Sequence, residues 1–349
     1  MSYACNGFQR AFETNNIKFD LETIRDVAES HIFNILFLKS CEAKSIIRYE
    51  ANTDISITSI IERISGFESS GTVDEDSNET LNLKPAFKDF NYTNLGFDLH
   101  KKILKLTDLV QNGGRLETGL EITAFKETIF TNIEKSLIHK CLLTNIETVK
   151  LLFELGYMEE DKKFKQIPYN IFSPEQLGSI YESFLEFKLS KADEDLEFRN
   201  QQWVSMTKAT SDKLKRGETP KNPIARSGEL FFTPDNKARK ATGTYYTPDY
   251  VVKYIVEKCI GPLSEGKSSS ELLALRICDP AMGSGHFVTG VLRYLTDRYL
   301  QTLEHEPANQ SKTRPQAKRE ILESCLFGVD INPRAVRLAK LALWLETAH

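Results

Sequence analysis

Asp279-Pro280-Ala281-Met282-Gly283-Ser284-Gly285-His286-Phe287 is the stretch of this 349-residue chain whose residue types and spacing best fit a binding site. Glycines at 283 and 285 let the backbone approach a ligand where a Cβ would clash, and a helix starting near His286 aims its N-terminal amides into the same crevice. The short apolar run Leu275-Arg276-Ile277-Cys278 before it reads as a strand. The crevice therefore lies at the carboxyl end of a strand, where open α/β sheets bind nucleotide-like ligands. An isolated Gly-x-Gly is equally a tight turn that needs small residues, so the flanking residues must choose the ligand. A phosphate-cradling loop ends in Gly-Lys-Ser/Thr, whereas Gly285 is followed by His286-Phe287; a dinucleotide turn places a third glycine where Val288 stands. A second apolar run, Cys325-Leu326-Phe327-Gly328-Val329, ends at Asp330. That carboxylate is placed to accept hydrogen bonds from both hydroxyls of an adenosine ribose, with Ile331 beside it to pack on adenine. The polar stretch near 304–320, expected to be partly helical towards its end, reads as an insertion that lengthens the usual spacing of about 20 residues between glycines and acid.

These residues need a scaffold, and from residue 241 onward the pattern supplies one. Thr247 is expected to cap a helix with Pro248 in its first position and Val251, Val252, Ile255, Val256 and Cys259 as its apolar face. An amphipathic helix is expected from His286 to Leu303, and a last one from Pro333 through Leu338, Leu341, Ala342 and Leu345. Strand, glycine turn, helix, strand, helix is the start of a doubly wound parallel sheet. The chain before about residue 165 reads instead as helical. Ile24, Val27, Ile32, Ile35, Leu36, Leu38 and Ile46 recur at three- and four-residue intervals, and further helices are expected within 87–110 and 124–157. The acidic run 69–80 is expected as a surface loop. Ser173, Pro174 and Gln176 form a helix start followed by the apolar stripe Leu177, Ile180, Tyr181, Phe184 and Leu185, expected to bridge two domains. Between 191 and 240 helix and strand signals are weak. There Lys208, Lys213, Lys215, Arg216, Lys221, Arg226, Lys237, Arg239 and Lys240 outnumber the acids, which reads as a basic linker.

Three segments, T-G-T-Y-Y-T-P (242–248), D-P-A-M-G-S-G-H-F (279–287) and G-V-D-I-N-P-R-A-V-R-L-A-K-L-A-L-W-L (328–345), resemble in order and spacing the first motifs of the amino-directed DNA methyltransferases that use S-adenosylmethionine. The likeness is greatest to the adenine-specific enzymes of fused Type IIG restriction–modification systems and similar phage-defence methylases. It extends to I-F-N-I-L-F-L-K-S-C-E-A-K (32–44) and L-G-S-I-Y-E-S-F-L-E-F-K-L (177–189), which look like the helical connector of those enzymes. The resemblance implies an α-helical connector domain over 1–190, the basic linker over 191–240, and over 241–349 the start of a Rossmann-like, class I S-adenosylmethionine-dependent methyltransferase domain, incomplete at its C-terminus. By position, Tyr245, Tyr246, Thr247 and Pro248 would flank the cofactor. Asp279, Ala281, Gly283 and Gly285 would line its methionine pocket, Pro280, Ser284 and Phe287 of the same turn would also contact the cofactor, and Asp330 with Ile331 would hold its adenosine. The family's N-P-P-Y/F turn, which binds and orients the target amine, has no counterpart, because the chain contains no Pro-Pro pair. Catalytic residues are therefore expected from outside these residues. Double-stranded DNA is the partner implied for the complete enzyme, with a second polypeptide carrying the remaining strands as the alternative. Glu42-Ala43-Lys44 superficially matches the E-x-K of a metal-dependent nuclease, but it falls in a helical pattern rather than at a strand end.

Composition agrees with a soluble protein of the cytoplasm. Apolar residues make up 40% and charged residues 27% of the chain, and the formal charge is −4, so nothing global invites nucleic acid. Six scattered cysteines without a C-x-x-C pair argue against a disulfide framework or a structural zinc site, and no apolar stretch reaches membrane-spanning length. A nucleotide-dependent oxidoreductase is the other enzyme class to weigh, and the missing third glycine speaks against it.

Overall fold

The computed structural model describes residues 1–43, 45, 56–65, 95–115, 121–122, 132–160, 163–169, 176, 187–200, 202–216, 224–234, 247–305 and 312–347. The chain is mostly helical with a few small sheets and divides into two compact units, Met1–Asn170 with Phe187–Asp235, and Ile171–Glu186 with Asn236–His349.

The first unit is built around α2 (Leu21–Ala43), which follows α1 (Ser2–Thr14) and is buried along most of its length from Val27 to Cys41. Such a helix must satisfy its polar side chains internally. Arg25 pairs with Glu29 at 2.6 Å, and Ser30 donates to Glu134 at 3.0 Å. His31 stacks on His100 of α4 (Asp98–Asn112) with ring centroids 4.4 Å apart. Burial drives the pKa of His31 down to about 3, and neither of its ring nitrogens has a hydrogen-bond partner among the described residues. Glu42, at the end of α2, accepts from the backbone amides of Ile57 (2.6 Å) and Thr58 (3.0 Å) and so caps α3 (Ile57–Ser65). That assignment gives Glu42 a structural task; Lys44, the third member of the E-x-K triplet, lies outside the described residues. The helical group expected within 124–157 contains two helices, α5 (Asn132–Lys140) and α6 (Asn145–Gly156). Thr144 breaks the run because it forms a capping box with Glu147. The acidic run 69–80 and most of 173–186 lie outside the described residues.

Short antiparallel pairs complete this unit: β1 (Gly114–Arg115) with β2 (Glu121–Ile122), and β3 (Tyr157–Glu160) with β4 (Lys163–Gln166). Further along, β5 (Phe187–Lys191) pairs with β9 (Leu230–Pro234), and β6 (Leu196–Arg199) lies between β7 (Gln202–Ser205) and β8 (Ile224–Ala225). The stretch expected as a linker with weak helix and strand signals thus contains strands β6 to β9 and a helix. Its ladders join residues as distant as Phe187 and Pro234: β6 and β7 pair as sequence neighbours, but β5 with β9 and β6 with β8 find each other far along the chain. Ala192, Ala225 and Phe231 form a small core with Leu196 and Trp203, whose indole donates to the Phe232 carbonyl at 2.8 Å. Within this module α7 (Lys208–Lys215), capped by Thr207, buries no residue and exposes Lys208, Lys213 and Lys215.

In the second unit α8 (Asp249–Ser264), the short α9 (Ser269–Leu273), β10 (Ile277–Asp279), α10 (His286–His305), α11 (Arg314–Cys325), β11 (Leu326–Gly328) and α12 (Pro333–Thr347) follow in order. The two strands run parallel, pairing Ile277 with Leu326 and Asp279 with Gly328, and α10 and α11 make the crossover between them. Leu292, Leu295 and Tyr299 of α10 are the centre of the core, met by Val252, Val256 and Ile260 of α8 and by Ala317, Ile321 and Cys325 of α11. The expected insertion is therefore in part a core helix: its apolar stripe is sparse, but Thr313 and Gln316 form a capping box that starts it. One carboxylate ties three helices together, for Glu346 of α12 accepts from Arg293 of α10 (2.7 and 3.0 Å) and from Lys318 of α11 (2.8 Å). Burial raises the Glu346 carboxyl, but these donors outweigh it and hold the group below the usual carboxylate range.

The start of α8 differs from expectation. Pro248 is the cap and not the first helical residue: its extended ψ of 143° turns its carbonyl to accept from Val251 and Val252, and no side chain caps the helix. Val252 and Val256, continued by Ile260, are its buried face; Ile255 and Cys259 face outward.

Candidate cofactor site

β10 ends at Asp279, and the chain then makes a turn that is held by β11 and by the residues just after that strand. The Asp279 carbonyl accepts from the Val329 amide at 2.9 Å and the Val329 carbonyl accepts from Met282 at 3.0 Å, extending the parallel ladder beyond the last residues of both strands. Asp279 Oδ1 accepts from the Ala281 amide at 3.0 Å, which folds Pro280 and Ala281 over the strand end. Gly285 donates to Met282, closing the turn, and its carbonyl receives both the amide and the hydroxyl of Thr289, which start α10.

Both glycines have positive φ, +54° at Gly283 and +87° at Gly285, for different reasons. A Cβ at Gly285 would lie 3.0 Å from the Ala339 Cβ and 3.2 Å from its Cα, so α12 requires a glycine there. A Cβ at Gly283 would meet nothing within 4 Å. Gly283 thus presents backbone to open space, as a cradle for a ligand demands.

Asp330 closes the other side. Its Oδ2 accepts from the Gly283 amide at 2.9 Å and its Oδ1 from the Asn332 amide at 2.7 Å; Asn332 in turn accepts from Arg334 at 3.0 Å and starts α12. Each carboxylate oxygen has capacity for a further donor, so the geometry is compatible with two ribose hydroxyls. Ile331 next to it is 94% exposed. An apolar cavity of about 240 Å³ opens beside β10, lined by Asp279, Pro280 and Phe287 together with Ile277, Val291 and Phe327.

The structure thus brings together Asp279, Pro280, Ala281, Gly283, Ser284, Gly285, Phe287, Asp330 and Ile331 around one strand end, while Thr247 and Pro248 precede α8 in the same unit. Tyr245 and Tyr246 lie outside the described residues. Sequence reasoning misses the residues that hold the turn in place. Ala339 carries no signal at all, whereas Asn332-Pro333 reads as a helix cap and first helical position, which is how Asn332 starts α12. Gly328 reads only as part of a strand, whereas any Cβ there would collide with the Met282 thioether. His286, an ordinary polar residue at a helix start by its sequence, pairs with Asp249 at 2.8 Å. Among the described residues no group of three His, Cys, Asp or Glu could hold a metal ion, and no helix is long and apolar enough to cross a membrane.

Comparison with known proteins bears on the same segment. Residues 229–349 match the family model for N-6 DNA Methylase. Over 275 residues, 69% of the chain, it is 31% identical to the type II restriction enzyme and methyltransferase RM.Eco57I of Escherichia coli, covering 24% of that protein. Over 116 residues, 33% of the chain, it is 34% identical to the adenine-specific methyltransferase PglX of Streptomyces coelicolor, covering 9% of it. A putative type II restriction enzyme and methyltransferase of Methanocaldococcus jannaschii, RM.MjaORFECS2P, is 31% identical over 148 residues, 31% of the chain and 12% of that protein. The chain spans at most about a quarter of the length of these relatives. With its N-6 DNA methylase segment at 229–349, the chain resembles the adenine-specific DNA methyltransferases of type II restriction–modification systems.

Proposed function

We propose that the second unit is the S-adenosylmethionine-binding beginning of a site-specific DNA adenine-N6 methyltransferase serving restriction–modification or phage defence. The single observation that carries this reading is the turn 279–285 held against Asp330 at the carboxyl end of two parallel strands, with Gly283 facing open space. The Rossmann-like sheet of a class I methyltransferase is the fold in which this arrangement makes sense: ligands bind beyond the strand ends of open parallel sheets.

S-adenosylmethionine supplies an electrophilic methyl group, to be transferred directly to the exocyclic amine of an extruded adenine. The residues of this chain would bind and orient it. Asp330 would grip the ribose with the lone pairs that its two amide donors leave, Ile331 would cover adenine, and the backbone at Gly283 and Gly285 would border the methionine end. Thr247 and Pro248, with Tyr245 and Tyr246 before them, would form the opposite wall. None of these residues orients the amine, and no N-P-P-Y occurs in the sequence, so catalysis would need residues that this chain does not supply. Double-stranded DNA is the proposed substrate, and the exposed lysines of α7 are the local positive charge that could meet its phosphates.

A non-catalytic cofactor-binding subunit completed by a second polypeptide is the second reading, favoured by the lack of any Pro-Pro pair. Calorimetry with S-adenosylmethionine tests the shared part, and a methyl-transfer assay on DNA with labelled cofactor tests the rest. Transfer by this chain alone would refute the subunit reading; failure to bind the cofactor would refute both.

A further inference from the structure

His286 and Asp249 form a contact that the cofactor reading leaves unused. The His286 Nε2 lies 2.8 Å from Asp249 Oδ1, joining the first residues of α10 and α8. The His286 side chain is 12% exposed while Asp249 is 61% exposed, so a nearly buried ring reaches for a carboxylate that water could otherwise solvate. An acid in the first turn of α8 has the right sign for that helix's dipole, and the ring supplies it with a hydrogen-bond partner from α10.

The position of the pair along the two helices explains more. One turn further on, Gly290 and Val252 approach so closely that a Cβ at 290 would lie 2.8 Å from Val252 Cγ1. Asp249 and Val252 share a face of α8, as His286 and Gly290 share a face of α10. This contact is therefore the last rung of a seam that sets the register of the two helices, and just past that rung stand Thr247 and Pro248 on one strand of chain and Gly285 on the other. The start of α8 has no side-chain cap of its own to fix it.

We propose that His286 is a positioning residue: paired with Asp249, it pins the Thr247-Pro248 segment at a fixed distance from the glycine turn, so that the two walls of the cofactor pocket are preset. This rests on the reading of those segments as the two walls. The test measures S-adenosylmethionine binding by calorimetry and amide exchange over residues 249–252, in the full chain and in H286A, H286Q, D249A and H286A/D249A. H286A is expected to weaken binding by about three- to tenfold, the range of a partly exposed charge-assisted contact. D249A should match it, the double variant should be no worse than either single, and H286Q, which keeps a donor, should regain most of the affinity. A general loss of stability would not be rescued by glutamine or be silent in the double variant. D249A alters an exposed side chain and keeps the test available if H286A fails to fold. Affinity within twofold of the parent in D249A, or single effects that multiply in the double variant, would overturn the proposal. Should the parent bind no cofactor, the cofactor reading fails, and exchange decides the pin: faster exchange at 249–252 in D249A upholds it and unchanged exchange overturns it.

Discussion

Gly283 and Gly285 offer a contrast in which one methyl group, added at two sites two residues apart, should do opposite things. At Gly285 the added Cβ carries two penalties. A positive φ costs about 1–2 kcal/mol for a residue with a side chain. The approach to 3.0 Å from the Ala339 Cβ and 3.2 Å from its Cα adds an overpacking term of about 1–3 kcal/mol, because a helix backbone and not a flexible chain end must yield. Gly285→Ala should therefore destabilise the second unit by about 2–5 kcal/mol. Gly283→Ala meets nothing within 4 Å and carries only the φ penalty, about 1 kcal/mol. Its methyl group instead occupies the space proposed for the ligand, so its main effect should be on S-adenosylmethionine affinity. The chain has two tryptophans, Trp203 in the first unit and Trp344 on the same helix as Ala339. In a W203F background, urea unfolding followed by fluorescence therefore reports the second unit, which avoids treating a two-unit chain as one transition. Adding Ala339→Gly, which alone costs about 1 kcal/mol as a helix glycine, should relieve the steric part of the Gly285→Ala effect and leave the φ part. A coupling below about 0.5 kcal/mol between the two substitutions would refute the claim that Ala339 dictates glycine at 285. A Gly283→Ala variant that binds cofactor normally would refute the cradle.

Three further outcomes are expected. Asp330→Ala removes the acceptor of two backbone amides as well as the proposed ribose contacts, so it should lower both stability and cofactor affinity, each charged hydrogen bond being worth about 1.5–3 kcal/mol; unchanged affinity by calorimetry contradicts the ribose assignment. His31 is buried neutral with its pKa at about 3, so the unfolded chain, with a value near ~6.5, takes up the proton first as pH falls. Stability of the first unit should be intact above that unfolded value and decline below it by about 1.4 kcal/mol per pH unit for each such histidine, His100 shifting in the same direction; His31→Leu should flatten the dependence of the urea midpoint between pH 6.5 and 4.5, and an equally steep profile would count against the burial argument. Replacing Lys208, Lys213 and Lys215 together by glutamine should reduce the salt dependence of duplex DNA binding by about 0.9 in log–log slope for each lysine that neutralises a phosphate, whatever the DNA sequence, and an unchanged slope in an anisotropy titration removes α7 from the interface.

How much of this is legible in the sequence depends on whether the stabilising partner is near in the chain. The strand–turn–helix from Ile277 to His305 and the strand–helix from Leu326 to Thr347 can be read almost to the residue, because glycine turns, proline starts and apolar periodicity are local signals. The pairings of β5 with β9 and of β6 with β8 cannot, because Leu189 finds Phe232 and Leu196 finds Ala225 only through tertiary pairing. The site is legible as a set of names and not as a mechanism of support. That Asp330 holds the amide of Gly283, that Ala339 forbids a Cβ at 285 and that Glu42 caps α3 are contacts between distant segments, and no spacing rule announces them.

The parallel pairing of Ile277 with Leu326 also fixes when the site can exist during folding. Two parallel neighbours cannot be joined by a hairpin; here the chain must first travel through α10 and α11, a loop of roughly 50 residues whose closure entropy must be met before any strand contact repays it. The glycine turn can shape locally, but the Gly283 amide has no carboxylate to hold it until Asp330 arrives from beyond that loop. The contact between Asp330 and the Gly283 amide is thus expected to form late, and substitutions in α11 should change how fast that contact is made.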